Sequence, residues 1–211
     1  MLEGLMRLSR PRTVLPMRTE RLVLRAFRAS DAERFALLAG DMSVAGMTSD
    51  IPSPLTPRMA ALWLQPARRE LRCAIELEGV FVGSVGYFVR SSNVAELGFW
   101  LGRPWWGRGY VTEAARAILR QGLTDPGIVA FSASHFVDNP ASQRVLGKLG
   151  FVTVGHAPQW CEARRRDVDA VSCRLDRVRA AALGLVAEPP ANGRRGGWRR
   201  LAAMMGGAGG A

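Results

Sequence analysis

Ala95-Glu96-Leu97-Gly98-Phe99-Trp100-Leu101-Gly102-Arg103-Pro104-Trp105-Trp106-Gly107-Arg108-Gly109-Tyr110-Val111-Thr112-Glu113-Ala114-Ala115 is the stretch that decides the fold. It reads as a strand, a tight glycine loop and the start of a helix. A strand that enters a helix through glycines leaves unpaired backbone N–H groups at the helix N-terminus. Such a terminus carries about half a unit of positive charge and binds phosphates. Gly107 and Gly109 lack a Cβ, so a ligand can approach the backbone closely there. The loop therefore reads either as a pyrophosphate cradle or as a plain structural turn, because a Gly-x-Gly turn alone serves both.

Working outward, the 211 residues suffice for one domain with a core and tails. A hydrophobic content of 48% fits a globular chain. No apolar run reaches the roughly 18 residues of a membrane span, and the N-terminus has no signal-peptide pattern. Cys73, Cys161 and Cys173 are odd in number and lack ligand spacing; His135 and His156 stand far apart. The expectation is a reduced, cytoplasmic protein with no metal and no membrane partner. The net charge of +11 would suit a nucleic-acid binder. Its excess lies mostly in the tails, +3 in residues 1–18 and +4 in residues 179–211. With 28 Arg against the single Lys148, the charge reads as a compositional habit rather than a recognition surface.

Residues 1–17 lack periodicity and are expected to be a mobile arm, with Met17 as an alternative start. Residues 21–27 alternate and predict a strand. Ser30-Asp31-Ala32-Glu33 has the form of a capping box opening a helix with Phe35 and Leu38 inward. Residues 41–54 read as a polar loop. Thr56-Pro57 starts a short helix carrying Met59, Leu62 and Trp63 and stopping by Pro66. Residues 71–77 and 80–89 form a hairpin around Glu78-Gly79, and residues 94–101 the next strand. The helix after the glycine loop presents Val111, Ala114, Ala115, Ile118 and Leu119 and ends at Gly122. Residues 128–137 are a strand. Asn139-Pro140 starts a helix with Val145, Leu146 and Leu149 inward, stopped by Gly150. Residues 151–155 and 167–175 close with a hairpin, and the Arg164-Arg165-Arg166 run between them reads as a solvated loop. Residues 178–186 read as a helix that extends the domain, and 187–211 as a disordered tail rich in Gly, Ala and Arg. The predicted class is α/β (α+β), a mixed and largely antiparallel central sheet with helices on both faces.

The element order, the Trp106-Gly107-Arg108-Gly109-Tyr110-Val111-Thr112-Glu113-Ala114 turn and the segments Asp138-Asn139-Pro140-Ala141-Ser142 and Lys148-Leu149-Gly150-Phe151 together resemble the GNAT acetyltransferases. Thr19-Glu20-Arg21-Leu22-Val23-Leu24-Arg25 and the strand at 95–101 resemble the ribosomal-protein-alanine N-acetyltransferase (RimJ/RimL-like) type. The resemblance covers residues 18–178, the expected N-acetyltransferase domain, with residues 179–211 as a basic tail. It implies acetyl-CoA as co-substrate. The family loop is Arg or Gln, two residues, Gly, one residue, then Gly or Ala; here Trp106, Gly109 and Val111 hold those places. By resemblance, the backbone of Trp106, Gly107, Arg108, Gly109, Tyr110 and Val111, with the Thr112 hydroxyl, holds the pyrophosphate, Arg108 adding charge unless it is merely solvated. The backbone of Phe99 and Leu101 and the side chain of Asn139 lie along the pantetheine arm. The side chains of Phe99, Trp100 and Leu101 also read as plain core, and Asn139 as an ordinary helix cap.

The family chemistry is direct attack of an amine on the thioester in a ternary complex. It needs a deprotonated amine, a polarised carbonyl and a protonated leaving thiolate. Many members place a Tyr acid where Leu146 stands, so the resemblance passes that role to Ser142, which reads equally as a first-turn helix residue. Glu96 is the leading base, through a water, or an exposed carboxylate paired to Arg; Glu162 is the second carboxylate implied. An α-amine with pKa near 8 costs roughly 1 kcal/mol to deprotonate at pH 7, a lysine near 10.4 about 4.6 kcal/mol. So modest a base set suits a protein N-terminal α-amine or a small primary amine. The alternatives are an antibiotic- or metabolite-amine acetyltransferase, a catalytically inactive acetyl-CoA sensor, and a basic nucleic-acid-binding module. A weak ribosome or RNA contact through the basic tails, and a monomer or homodimer, complete the expectations for partners.

Overall fold

The apolar alternation of residues 70–101 lays down three consecutive strands at the centre of the sheet. The computed structural model describes residues 15–65, 70–90 and 93–186. Among these, eight strands form one sheet in the order β1-β2-β3-β4-β5-β6-β8-β7. They are β1 Met17–Arg18, β2 Val23–Arg25, β3 Glu70–Leu77, β4 Val80–Val89, β5 Val94–Leu101, β6 Ala130–Phe136, β7 Val152–Cys161 and β8 Arg166–Asp176. All pairings are antiparallel except β5 with β6. The β3–β4 turn is the predicted one: Glu78 (φ 50°) and Gly79 (φ 80°) both take the left-handed conformation of a two-residue hairpin turn.

The helices are α1 Ala32–Ala39, α2 Met42–Ala45, α3 Pro57–Trp63, α4 Tyr110–Gly122, α5 Pro140–Lys148 and α6 Arg177–Ala182. Helices α1 to α3 cover one face of the sheet, where Phe35, Ala39, Ala45 and Ala60 pack with Phe81, Phe136 and Val168. Helices α4 to α6 cover the other, where Ala114, Ile118, Leu146, Leu149 and Ala180 pack with Val85, Leu97, Phe131 and Leu175. The mixed sheet with helices on both faces is therefore as expected. None of the described helices is long and apolar enough to cross a membrane.

Several local expectations change. Ser30 does not cap α1, and neither does any other side chain: Asp31, the residue at its N-cap position, turns back to accept from the backbone of Arg28 at 2.7 Å and bidentately from Arg25 at 2.8 and 2.9 Å. A buried guanidinium attracts the adjacent carboxylate more strongly than a hydroxyl can. The polar loop 41–54 contains α2, capped by Asp41, which accepts from Ser43 N at 2.8 Å. Thr56 caps α3 as predicted, accepting from Met59 N at 3.2 Å. That helix buries Ala60, however, and exposes Leu62 and Met59. As expected, α4 ends at Gly122, its last residue, where a Cβ would sit 2.6 Å from the Phe131 ring. The Arg run is not a solvated loop throughout. Arg164 turns inward, donating to Gly46 O at 2.7 Å and to Asp138 at 2.6 and 3.2 Å, over the Phe136 ring. Met17, placed in the expected arm, pairs with Leu24, and in the stretch expected to extend the domain α6 is followed by the buried Leu185. Residues 1–14, Pro66 and the tail 187–211 lie outside the described residues.

Candidate active site

The site grows from an incomplete strand pairing. Strand β5 pairs with β4 over its whole visible length, from Ala95 opposite Val89 to Leu101 opposite Gly83. With β6 it pairs only at Val94, Ala95 and Glu96. Beyond Glu96 the two strands diverge. Arg90 N donates to Val94 O and Gly102 N to Val82 O, both at 2.9 Å. Those two bonds set the parity of β5: its even-numbered residues bond to β4, and its odd-numbered ones present N–H and C=O toward β6. In the splay the Leu97 carbonyl and the backbone of Phe99 thus face a gap with no strand to pair them. Such an edge bonds an extended ligand that carries amides of its own. At Leu101 the carbonyl is taken by the Trp106 indole N–H at 2.6 Å, which staples the glycine loop to the end of β5.

That loop enters α4 through two left-handed glycines, Gly107 (φ 77°) and Gly109 (φ 79°). Side chains cap α2, α3, α5 and α6, but Gly109 supplies none to α4. Its first-turn N–H groups stay open, which is the arrangement that binds a phosphate. The loop is buttressed from β2's side. Glu113, in the first turn of α4, accepts from Arg21 N at 2.8 Å and from Arg21 Nε at 2.7 Å, while Arg21 Nη1 donates to Arg108 O at 3.0 Å. The Arg21 guanidinium lies over the Tyr110 ring. Burial pushes the Glu113 carboxyl up, but the bonds from Thr19 and Arg21 outweigh it and hold the pKa below the usual carboxylate range.

A cavity of about 460 Å³ runs from the splay past this loop to the start of α5. Phe99, Leu101, Trp106, Gly107, Gly109, Tyr110, Val111, Thr112, Asn139 and Ser142 line it. Of the residues expected to hold the cofactor, the side chain of Arg108 alone stands outside this lining, exposed at the loop apex. Asn139 is buried and caps α5, accepting from Ser142 N at 3.0 Å. That bond leaves the Ser142 hydroxyl free of protein partners among the described residues. Leu146 is buried in the core, and Tyr87 is buried against Phe131, far in role from any acid at this site.

On the α1–α3 face a second cavity, of about 490 Å³, opens beside the same splay. Glu96, Gly98 and Trp100 of β5 form part of its floor, with Asp50, Trp63 and Arg72 among its walls. The two cavities share Met47, Thr48, Phe99, Trp100 and Ser142. Ser142 therefore stands where they meet. Glu96 is paired with Arg90, whose Nε lies 2.7 Å from its carboxylate. Glu162 is not brought to the junction: it follows the end of β7, is exposed, and accepts from the Trp160 indole at 2.8 Å. Its backbone N–H instead donates to Ser49 O at 2.8 Å and helps fix the segment that roofs both cavities.

Three residues of the second cavity carry no sequence signal. Asp50 sits in a stretch that reads only as loop, Trp63 on a short helix, Arg72 within a strand. Asp50 reaches solvent through the cleft mouth, yet the surrounding protein pushes its carboxyl pKa up. Glu96 adds to that rise, and its own backbone N–H and Arg72 oppose it. Only the folded chain brings these residues beside Glu96.

Comparison with known proteins agrees with this geometry. The family described as Acetyltransferase (GNAT) domain matches residues 21–152. From Bacillus subtilis (strain 168), the uncharacterized protein YkkB is 32% identical over 143 residues, covering 63% of this chain and 82% of that protein. The uncharacterized N-acetyltransferase YoaA of the same organism is 28% identical over 155 residues, covering 68% and 86%. Mycobacterium smegmatis RimJ, solved in complex with CoA-disulfide, shares the fold with a TM-score of 0.65 at 21% identity, covering 77% of this chain and 89% of that one. A splayed sheet, an open helix N-terminus at its mouth and a matching family over most of the domain place this chain among the GNAT acetyltransferases, enzymes whose acyl donor is acetyl-CoA.

Proposed function

We propose that the protein is an N-acetyltransferase of the RimJ/RimL type that acetylates a primary amine, either a protein N-terminal α-amine or a small amine, in a ternary complex. The observation that carries this reading is the meeting of two cavities at Ser142, one built for the donor and one open to an acceptor. The segments 19–25 and 95–101 support the subgroup.

The residues present fit acetyl-CoA. The open N–H groups of residues 107–112 and the Thr112 hydroxyl would hold the pyrophosphate, while Trp106 N is taken by Arg103 O at 3.2 Å, and the free β5 edge at Leu97 O and Phe99 would bond the pantetheine amides. Acetyl-CoA supplies the acetyl group as a thioester. Ser142 holds a proton at the junction for the departing sulfur, and a carboxylate of the acceptor cleft takes the proton that the amine loses. Glu96 is the sequence's choice for that carboxylate, and it stands in the cleft wall beside Arg90. As the C–N bond forms and the C–S bond breaks, one proton leaves nitrogen and one reaches sulfur.

The test is an acetyl-transfer screen across peptide N-termini and small amines, read by thiol release. Turnover on at least one class is expected. Binding of acetyl-CoA, seen as a melting shift, with no turnover on any amine would replace this reading with an acetyl-CoA sensor.

A further inference from the structure

The acceptor cleft has a charge count and a shape that narrow its ligand. Its floor on β4 and β5 is small: Ser84 lies beside Trp100, and Gly86 faces Gly98 across the strands. A Cβ placed on Gly98 would meet nothing within 4 Å, so the space above it is open cleft. Aromatic surface borders that space. Phe88 is exposed, and Trp63 and Trp100 are half-buried. Trp100 is braced edge-on by Phe35, with ring centroids 5.0 Å apart. The charged side chains facing the cleft are Asp50 before α3, Glu70 and Arg72 of β3, Arg90 after β4 and Glu96 of β5. Three carboxylates against two guanidiniums leave one net negative charge. Glu70 is paired with Arg72 at 3.1 Å and Glu96 with Arg90. Among the described residues Asp50 has no ion pair, and its carboxylate accepts only from its own backbone N–H.

We propose that Asp50 receives the acceptor's ammonium group and takes its proton, and that the acceptor is a monocationic primary amine with an apolar or aromatic body lying along Trp63 and Trp100. This deepens the N-acetyltransferase reading and rests on it. A single uncompensated carboxylate matches one cation, while Arg72 and Arg90 repel a polycation. The Arg72 guanidinium already lies over the Trp63 ring, so the part of each half-buried indole that borders the cleft favours the apolar body of the ligand next to its cation. One proton passes from the ammonium to the Asp50 carboxylate; the neutral amine then forms the C–N bond as the C–S bond breaks, the Ser142 hydroxyl gives its proton to the departing thiolate, and the second proton shed by nitrogen restores the hydroxyl. The surrounding protein raises the Asp50 carboxyl pKa, which makes it a better proton acceptor than an ordinary aspartate. The shared chemistry, an ammonium beside an apolar group, is found both in small arylalkylamines and in peptides with a large apolar first residue.

The experiment measures kcat/KM and its pH profile for wild type, Asp50→Asn and Asp50→Glu, with acetyl-CoA saturating. The probes are 2-phenylethylamine, a short peptide with N-terminal phenylalanine, and spermidine. One of the first two should exceed spermidine at least tenfold, and which of them does so names the source. Asp50→Asn should lose about 100-fold on the preferred amine, keep the acetyl-CoA melting shift, and lose the acid-side inflection of the profile. Asp50→Glu should restore part of both. An Asp50→Asn variant within threefold of wild type with an unchanged profile, or a preference for spermidine, overturns the proposal while leaving amine acetylation standing. A wild type that binds acetyl-CoA and acetylates no amine overturns both.

Discussion

The two cavities that meet at Ser142 are built on different principles. The donor groove is made of backbone. Its anion site is the open first turn of α4 behind Gly107 and Gly109, and its long wall is the unpaired edge of β5. The backbone that would bind the donor comes from one continuous stretch, residues 97–112, and α5 with residues 43–48 walls the groove. The acceptor cleft is made of side chains from α3, from the loop before it and from β3, β4, β5 and β6, and no two of its charged groups belong to a single motif. A backbone site tolerates changes of side chain, which is why Trp106 and Val111 can stand where the family pattern has other residues. A side-chain site changes its ligand whenever one residue changes. The donor is therefore common to a family, and the acceptor belongs to each member.

The two faces also differ in how they are held, and the largest expected effect tests that. On the cleft side the first helix is tied by a buried ion cluster: Arg25, 7% exposed, grips Asp31, 5% exposed, and also bonds Glu76. On the donor side Glu113 forms the tie at a half-exposed site. Asp31→Ala leaves a buried guanidinium short of a partner and should cost about 3 kcal/mol of stability, read by urea unfolding. Burial raises the Asp31 carboxyl, but the Arg25 pair and the Arg28 N–H outweigh it, so its pKa in the folded state lies below the ordinary value. Its contribution is thus present above the unfolded-state pKa near 4 and is lost as pH falls through the folded value. Unfolding midpoints at pH 7 and pH 3 should converge for Asp31→Asn and wild type.

Next in size is a direct attack on the backbone site. Gly109→Glu puts a carboxylate beside the pyrophosphate position and a Cβ on a residue with φ 79°. Acetyl-CoA affinity measured by calorimetry should fall at least about 100-fold, roughly 2.7 kcal/mol. Unchanged affinity would mean that the groove is not built from this loop. Ser142→Ala probes the seam between the cavities. Only its backbone N–H takes part in the α5 cap, so the melting temperature should hold while kcat falls about tenfold or more, with KM for acetyl-CoA unchanged. A matched loss of KM and kcat would instead place Ser142 in binding. Smallest is Asn139→Ala, which removes a buried cap and should cost about 1 kcal/mol, a melting shift of about 2–4 °C for a domain of this size.

The same contrast separates what could be read in advance from what could not. The β3–β4 hairpin, the β5 strand, the glycine loop and the Asn139 cap were legible because each is encoded by neighbours in sequence: a period of two, a left-handed turn, a side chain reaching three residues on. The misread places have partners far away. Ser30 looked like the cap because the local pattern contains no sign of Arg25. Arg164 looked solvated because nothing near it in sequence announces Gly46, Phe136 or Asp138.

By itself the sequence determined the class of fold and most of the order of its elements, since periodicity and loop glycines act through the local backbone, while the donor came from the resemblance to a known family. The tertiary structure alone decided where β5 and β6 part, that Ser142 lies where two cavities meet, and that Asp50 faces Glu96 and Arg72. Those facts depend on convergence of side chains from segments tens of residues apart. Their geometry is set by packing of the whole sheet against both helical layers, and no spacing along the chain records it.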